Sequence, residues 1–107
     1  MHHVFHFQVD DLIPTKESAE DALTKIASTL DSVELNRCSI VYDIEDEPNI
    51  TGVTAVALLA TGTVVITTYP EFETAFIDIS SCQDYDVAKL DTKLADLGFH
   101  LLPAAQP

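Results

Sequence analysis

Residues 52–82, GVTAVALLATGTVVITTYPEFETAFIDISSC, limit the fold more than any other stretch of the chain. Val53–Ala60 and Thr63–Tyr69 are rich in apolar and β-branched residues, and only Thr61-Gly62 separates them. Two such runs with a glycine between them predict a hairpin, with Gly62 free to take φ > 0 in the turn. Pro70, in the Tyr69-Pro70-Glu71 break, stops the second strand because it cannot donate to a ladder. Ala75–Ser81 then alternates, with Ala75, Ile77 and Ile79 on one face and Phe76, Asp78, Ser80 and Cys82 on the other. Val64 and Ile66 likewise oppose Val65 and Tyr69.

The flanks supply two helices and three more strands. His3–Val9 alternates as a half-buried strand, and Asp10–Pro14 turns into a helix that Thr15 can cap and Glu17 favours in its first turn. Ala19, Ala22, Leu23, Ile26, Ala27 and Leu30 follow the helical period and form one apolar face. Arg37–Glu45 reads as a strand with Cys38, Ile40, Tyr42 and Ile44 on one side, and Asp46–Asn49 as a loop. Asp84 or Asp86 caps a second helix with Val87, Leu90, Leu94 and Leu97 inward, ended by Gly98 at C′. His100–Leu102 is a short last strand, and Pro103–Pro107 a frayed tail. The order β-α-β-β-β-β-α-β with short connections predicts an α+β fold, a two-layer α/β sandwich whose mostly antiparallel sheet carries both helices on one face. Two helices cover one face only. The bulk on the other face predicts a homodimer with stacked sheets.

The 107 residues fit one domain spanning 1–107, and 47% hydrophobic content fits a packed core. A net charge of -13 with 5 Lys and Arg argues against nucleic acid and against anionic membrane surfaces. No secretory h-region stands at the N-terminus, and no apolar run reaches the ~18 residues of a membrane helix. A cytoplasmic protein with Cys38 and Cys82 reduced is the expectation.

At Ile66–Cys82, ITTYPEFETAFIDISSC resembles the motif I-H-T-W-P-E-x-x-x-A-x-x-D-x-F-T-C of the small bacterial and archaeal S-adenosylmethionine decarboxylases. His3 at the first strand, Gly52-Val53-Thr54 and the order of elements extend the likeness over most of the chain. The resemblance implies a chain that cuts itself between a Glu and a Ser in the hairpin, the Ser becoming a pyruvoyl group that forms a Schiff base with the substrate amine. Here Thr61 and Gly62 stand at those two positions, and Thr67 stands where the family has a processing His. Glycine has no hydroxyl to attack the preceding carbonyl, so no pyruvoyl group is expected. Thr54 keeps the helper hydroxyl, Cys82 the proton-donor thiol, and Glu71 its carboxylate. Thr63 carries a hydroxyl one position late, but its register and flanking residues are wrong for cleavage.

These positions also have ordinary readings. Cys82 suits a small, half-buried side chain, and Thr54 and Thr67 are common strand residues. Phe5 and Phe7 suit the core, although the resemblance implies aromatic residues that stack on the substrate adenine. His2 and His6 share a strand face that His3 does not, so no metal site is expected. The leading function is a pseudoenzyme that binds S-adenosylmethionine or a related metabolite, or that pairs with an active homologue. The alternatives are a cofactor-independent lyase acting on S-adenosylmethionine, whose sulfonium suits an acidic protein, and a structural or interaction module.

Overall fold

The computed structural model describes residues 2–9, 16–44, 50–69, 74–96 and 99–101. Its elements run β1 (His2–Val9), α1 (Lys16–Thr29), β2 (Glu34–Ile44), β3 (Ile50–Leu59), β4 (Gly62–Tyr69), β5 (Thr74–Ser81), α2 (Val87–Asp96) and β6 (Phe99–Leu101). This is the expected order. The strands form one six-stranded sheet in the order β2-β3-β4-β5-β1-β6, with antiparallel neighbours throughout.

Strand alternation divides the sheet into two unlike faces. Phe5, Ile77, Ile66 and Ala55 stand opposite one another in a single row across β1, β5, β4 and β3, and all four are buried. This row joins Ala22, Leu23 and Ile26 of α1 and Leu90 and Leu94 of α2 in one core. Alanines on both partners, Ala19, Ala22 and Ala27 on the helix and Ala55 and Ala57 on β3, let α1 lie close over the sheet. The apolar helix face predicted for α1 is therefore the buried one, with Leu30 partly buried beside it.

Helix ends follow from local chemistry. Asp86 caps α2: the Lys89 amide donates to its Oδ1 at 3.1 Å, satisfying an amide that has no partner within the helix. α1 closes through Asp31, whose φ of 53° is left-handed. The Asp31 amide donates to Ser28 O (3.2 Å) and the Ser32 amide to Ala27 O (3.4 Å), the Schellman pattern. Thr15, Leu97 and Gly98 lie outside the described residues, as do Asp10–Pro14, the loop at 46–49, and Leu102 with the tail.

β2 begins at Glu34, three residues before the expected start, and its register shifts between Glu34 and Asn36. Arg37 ties this edge strand to α1. Its guanidinium donates to Glu34, to Glu20 O (3.1 Å) and to Thr24 Oγ1 (3.0 Å). The Glu34 hydrogen bond raises the Arg37 pKa further above its ordinary value, so its charge is fixed. Ser39 Oγ adds a 2.9 Å bond to Glu20.

Candidate functional site

The β3–β4 turn lies one residue earlier than its sequence suggests. Leu59 pairs with Gly62, so the two-residue loop is Ala60-Thr61 and Gly62 is the first residue of β4. Neither loop residue takes a positive φ. The turn is held from outside instead of by the primed geometry that hairpins favour. The Ala60 amide donates to Val33 O (2.8 Å), Thr61 Oγ1 donates to Ser32 Oγ (2.8 Å), and the Cys82 amide donates to Thr61 O (2.8 Å).

Gly62 is required for space and not for a left-handed backbone. A Cβ built on it would overlap the Ser80 carbonyl oxygen and stand 2.8 Å from both the Ser80 carbonyl carbon and Ser81 Cα. The resemblance places the pyruvoyl group here, and the residues present do not fit it. The methyl carbon of such a group, which stands where a Cβ would, has no room, and Gly62 offers no hydroxyl from which to make one. Cys82 stands beside this turn through its backbone, but its side chain is exposed and not half-buried as expected. Cys38 is also a free, exposed thiol.

The other positions singled out by the resemblance gather elsewhere. Thr54 and Thr67 face each other directly across β3 and β4, on the face without helices. Their row continues to Phe76 and His6. Thr67 is five residues along β4 from Gly62, roughly 16 Å at strand rise. Within one chain the turn and the threonine pair therefore do not form one site.

Around the threonine pair the open face is partly aromatic. His6 stacks on Phe76 with centroids 4.4 Å apart and planes 11° apart, and Tyr69 meets Phe76 edge-on at 6.0 Å. His6 Nε2 is hydrogen-bonded to Thr74 Oγ1. Further along the face, His2 Nε2 is 2.8 Å from Asp78 Oδ1. A shallow depression between β2 and β3 is lined by Asn36, Arg37, Cys38, Val56 and Leu58. Sequence reasoning did not single out His6, Phe76 and Tyr69 as a cluster. Strand alternation and the pairing order bring them together, and the pairing order is invisible before the fold is known.

Phe5 belongs to the core. It is 4% exposed on the helix side and its ring stacks on His3, so it offers no face to a ligand in this chain. His3 Nδ1 is hydrogen-bonded to Tyr85 OH at 2.7 Å, and burial raises the Tyr85 pKa, with Asp78 adding to the shift. Glu71 and the side chain of Phe7 lie outside the described residues. Among the described residues no group of three His, Cys, Asp or Glu is placed to hold a metal, and no helix is long and apolar enough to cross a membrane.

Comparison with known proteins bears on both the family and the fold. The family model for S-adenosylmethionine decarboxylase matches residues 5–97. The crystal structure of the adenosylmethionine decarboxylase from Aquifex aeolicus VF5 superposes with a TM-score of 0.59 at 23% identity. The match covers 90% of this chain and 74% of that one, a likeness of fold. No curated protein matches the chain.

Proposed function

Because the chain belongs to the S-adenosylmethionine decarboxylase family, we propose that it is a member that keeps the fold but carries no pyruvoyl group and does not decarboxylate. Its role is to bind S-adenosylmethionine or a related metabolite, or to pair with an active homologue and regulate it. The observation that carries this reading is the β3–β4 turn. Thr61 and Gly62 replace the Glu and Ser of the resemblance, and the Ser80 carbonyl fills the space a side chain at position 62 would need. The change at Thr67 agrees with it, since a threonine hydroxyl cannot act as a general acid or base near neutral pH as a histidine does.

The open sheet face is the binding surface in this reading. Phe76 and His6 offer stacked rings for a planar base, and the Thr54 and Thr67 side chains lie in the same row. The retained Cys82 thiol is exposed at the strand end beside the turn. The same face also carries Val4, Leu58 and Ile40, the last 60% exposed. Asp78, beside His2, is the one carboxylate among the described residues of this face. On a chain of net charge -13 such a nearly neutral apolar face suits a second copy or a homologue stacked against it.

Titration calorimetry with S-adenosylmethionine, followed by product analysis, tests the reading. Binding without released carbon dioxide supports it. No heat at millimolar ligand removes the nucleoside-binding part, and decarboxylated product removes the reading altogether. Methylthioadenosine without carbon dioxide would transfer the protein to the cofactor-independent lyase class.

A further inference from the structure

We infer that the Ala60–Gly62 junction has become a backbone clasp in which no side chain fits at position 62, so that restoring the family's serine would displace β5 without restoring self-processing. This rests on the reading of the chain as unprocessed and goes beyond it. A chain that merely lost a hydroxyl would regain processing when the hydroxyl is returned. A chain whose fold has closed over the site would not.

Three segments meet at the junction. The left-handed Asp31 ends α1 and sets the course of Ser32 and Val33. Those two residues then hold the turn, Val33 O accepting from the Ala60 amide and Ser32 Oγ from the Thr61 hydroxyl. From the opposite side, β5 closes in. Gly62 pairs with Ser81, and beyond the ladder the Cys82 amide reaches Thr61 O. The amide bonds fix backbone position, the hydroxyl bond adds a side-chain tie, and together they leave the turn little freedom to slide along β5.

The obstruction at Gly62 is of the least yielding kind. Its Cβ would meet the Ser80 carbonyl group and Ser81 Cα, which are backbone atoms of a paired strand. A flexible side chain could swing aside, but this carbonyl moves only if β5 moves. A serine Oγ hangs from that same Cβ, so the attacking atom would have to displace β5 before it could form. The carbonyl it would attack, Thr61 C=O, still accepts a hydrogen bond from the Cys82 amide, the kind of donor that stabilises a developing oxyanion. The polarising donor is therefore in place, while the nucleophile and the room for it are missing.

The test compares the intact protein with three variants by intact mass and thermal melting. Thr61→Glu/Thr67→His restores two family residues without touching position 62. Gly62→Ala adds only the Cβ. Thr61→Glu/Gly62→Ser/Thr67→His restores all three residues. The expected result is a single uncut chain throughout, with the double variant melting about 5 °C below the parent because the Thr61 hydroxyl bond is lost. Gly62→Ala and the triple variant should melt at least about 10 °C lower. Failure of Gly62→Ala to fold, with the double variant folded, also supports the clasp. Cleavage of the triple variant into two fragments, one blocked by a keto-acyl group, overturns it, as does Gly62→Ala melting with the parent. A parent that is itself cleaved sinks the unprocessed reading, a different outcome from either.

Discussion

The β3–β4 ladder is built differently at its two ends. At the turn, backbone contacts from Val33, Ser80 and Cys82 decide what can stand there, and only glycine fits at position 62. Five residues on, Thr67 faces Thr54 on the open side of the sheet, where both side chains are half-buried. In the proposed reading, the loss at Thr67 is a change of side chain on an accessible surface, and the loss at Gly62 is a change in how two strands pack. The two losses agree chemically, yet only the first is open to simple reversal.

Ile66 is fully buried next to Thr67 but on the helix side. Ile66→Ala should cost about 3 kcal/mol in urea unfolding, whereas Thr67→Ala should stay within about 0.5 kcal/mol. Equal costs would mean that both faces are buried to the same degree. Thr61→Val keeps the shape of the turn residue and deletes the hydroxyl that donates to Ser32. A loss of about 1 kcal/mol is expected from the same experiment, and no loss would remove the side-chain part of the clasp.

Smaller effects probe the approach to the junction. Asp31→Gly should stabilise the protein by about 0.5 kcal/mol, since glycine adopts the left-handed C′ conformation without a Cβ penalty. Destabilisation would show that Asp31 acts through its side chain. Tyr85 titrates above its ordinary value because it is partly desolvated and lies near Asp78. A raised folded-state pKa means that the neutral phenol is favoured by folding. Its contribution is therefore complete below the ordinary value of 10.0 and is lost as pH rises past it. The melting temperature of Tyr85→Phe should fall less steeply than that of the parent above that pH. Parallel curves would contradict the assignment.

Much of this arrangement was readable from periodicity. The α1 face from Ala19 to Leu30 and the split of Ala75, Ile77 and Ile79 from Phe76 and Asp78 are simple counts of 3.6 and 2, and burial follows them. The hairpin loop was misplaced because Gly62 carries two possible meanings. Read as a turn residue it sets Thr54 opposite Tyr69. Read as a point of close approach it sets Thr54 opposite Thr67, the observed pair. Both registers keep the same faces, so alternation could not choose between them. The early start of β2 escaped notice because Leu35 sits at a register shift that disturbs the period. The contact of His3 with Tyr85 spans most of the chain and has no local signal. The motif around Cys82 located the family, while the close approach that leaves no room for a side chain at position 62 lies in the Ser80 backbone, whose position no residue type announces.

In the proposed reading the chain stays whole at its β3–β4 turn. An intact-mass spectrum of the purified protein, after prolonged incubation at neutral pH, tests this most directly. One species with the mass of all 107 residues and free of any keto-acyl modification is expected. Two fragments divided at Gly62–Thr63, the later one reacting with a carbonyl reagent at its first residue, would contradict it, as would a plain break at Thr61–Gly62.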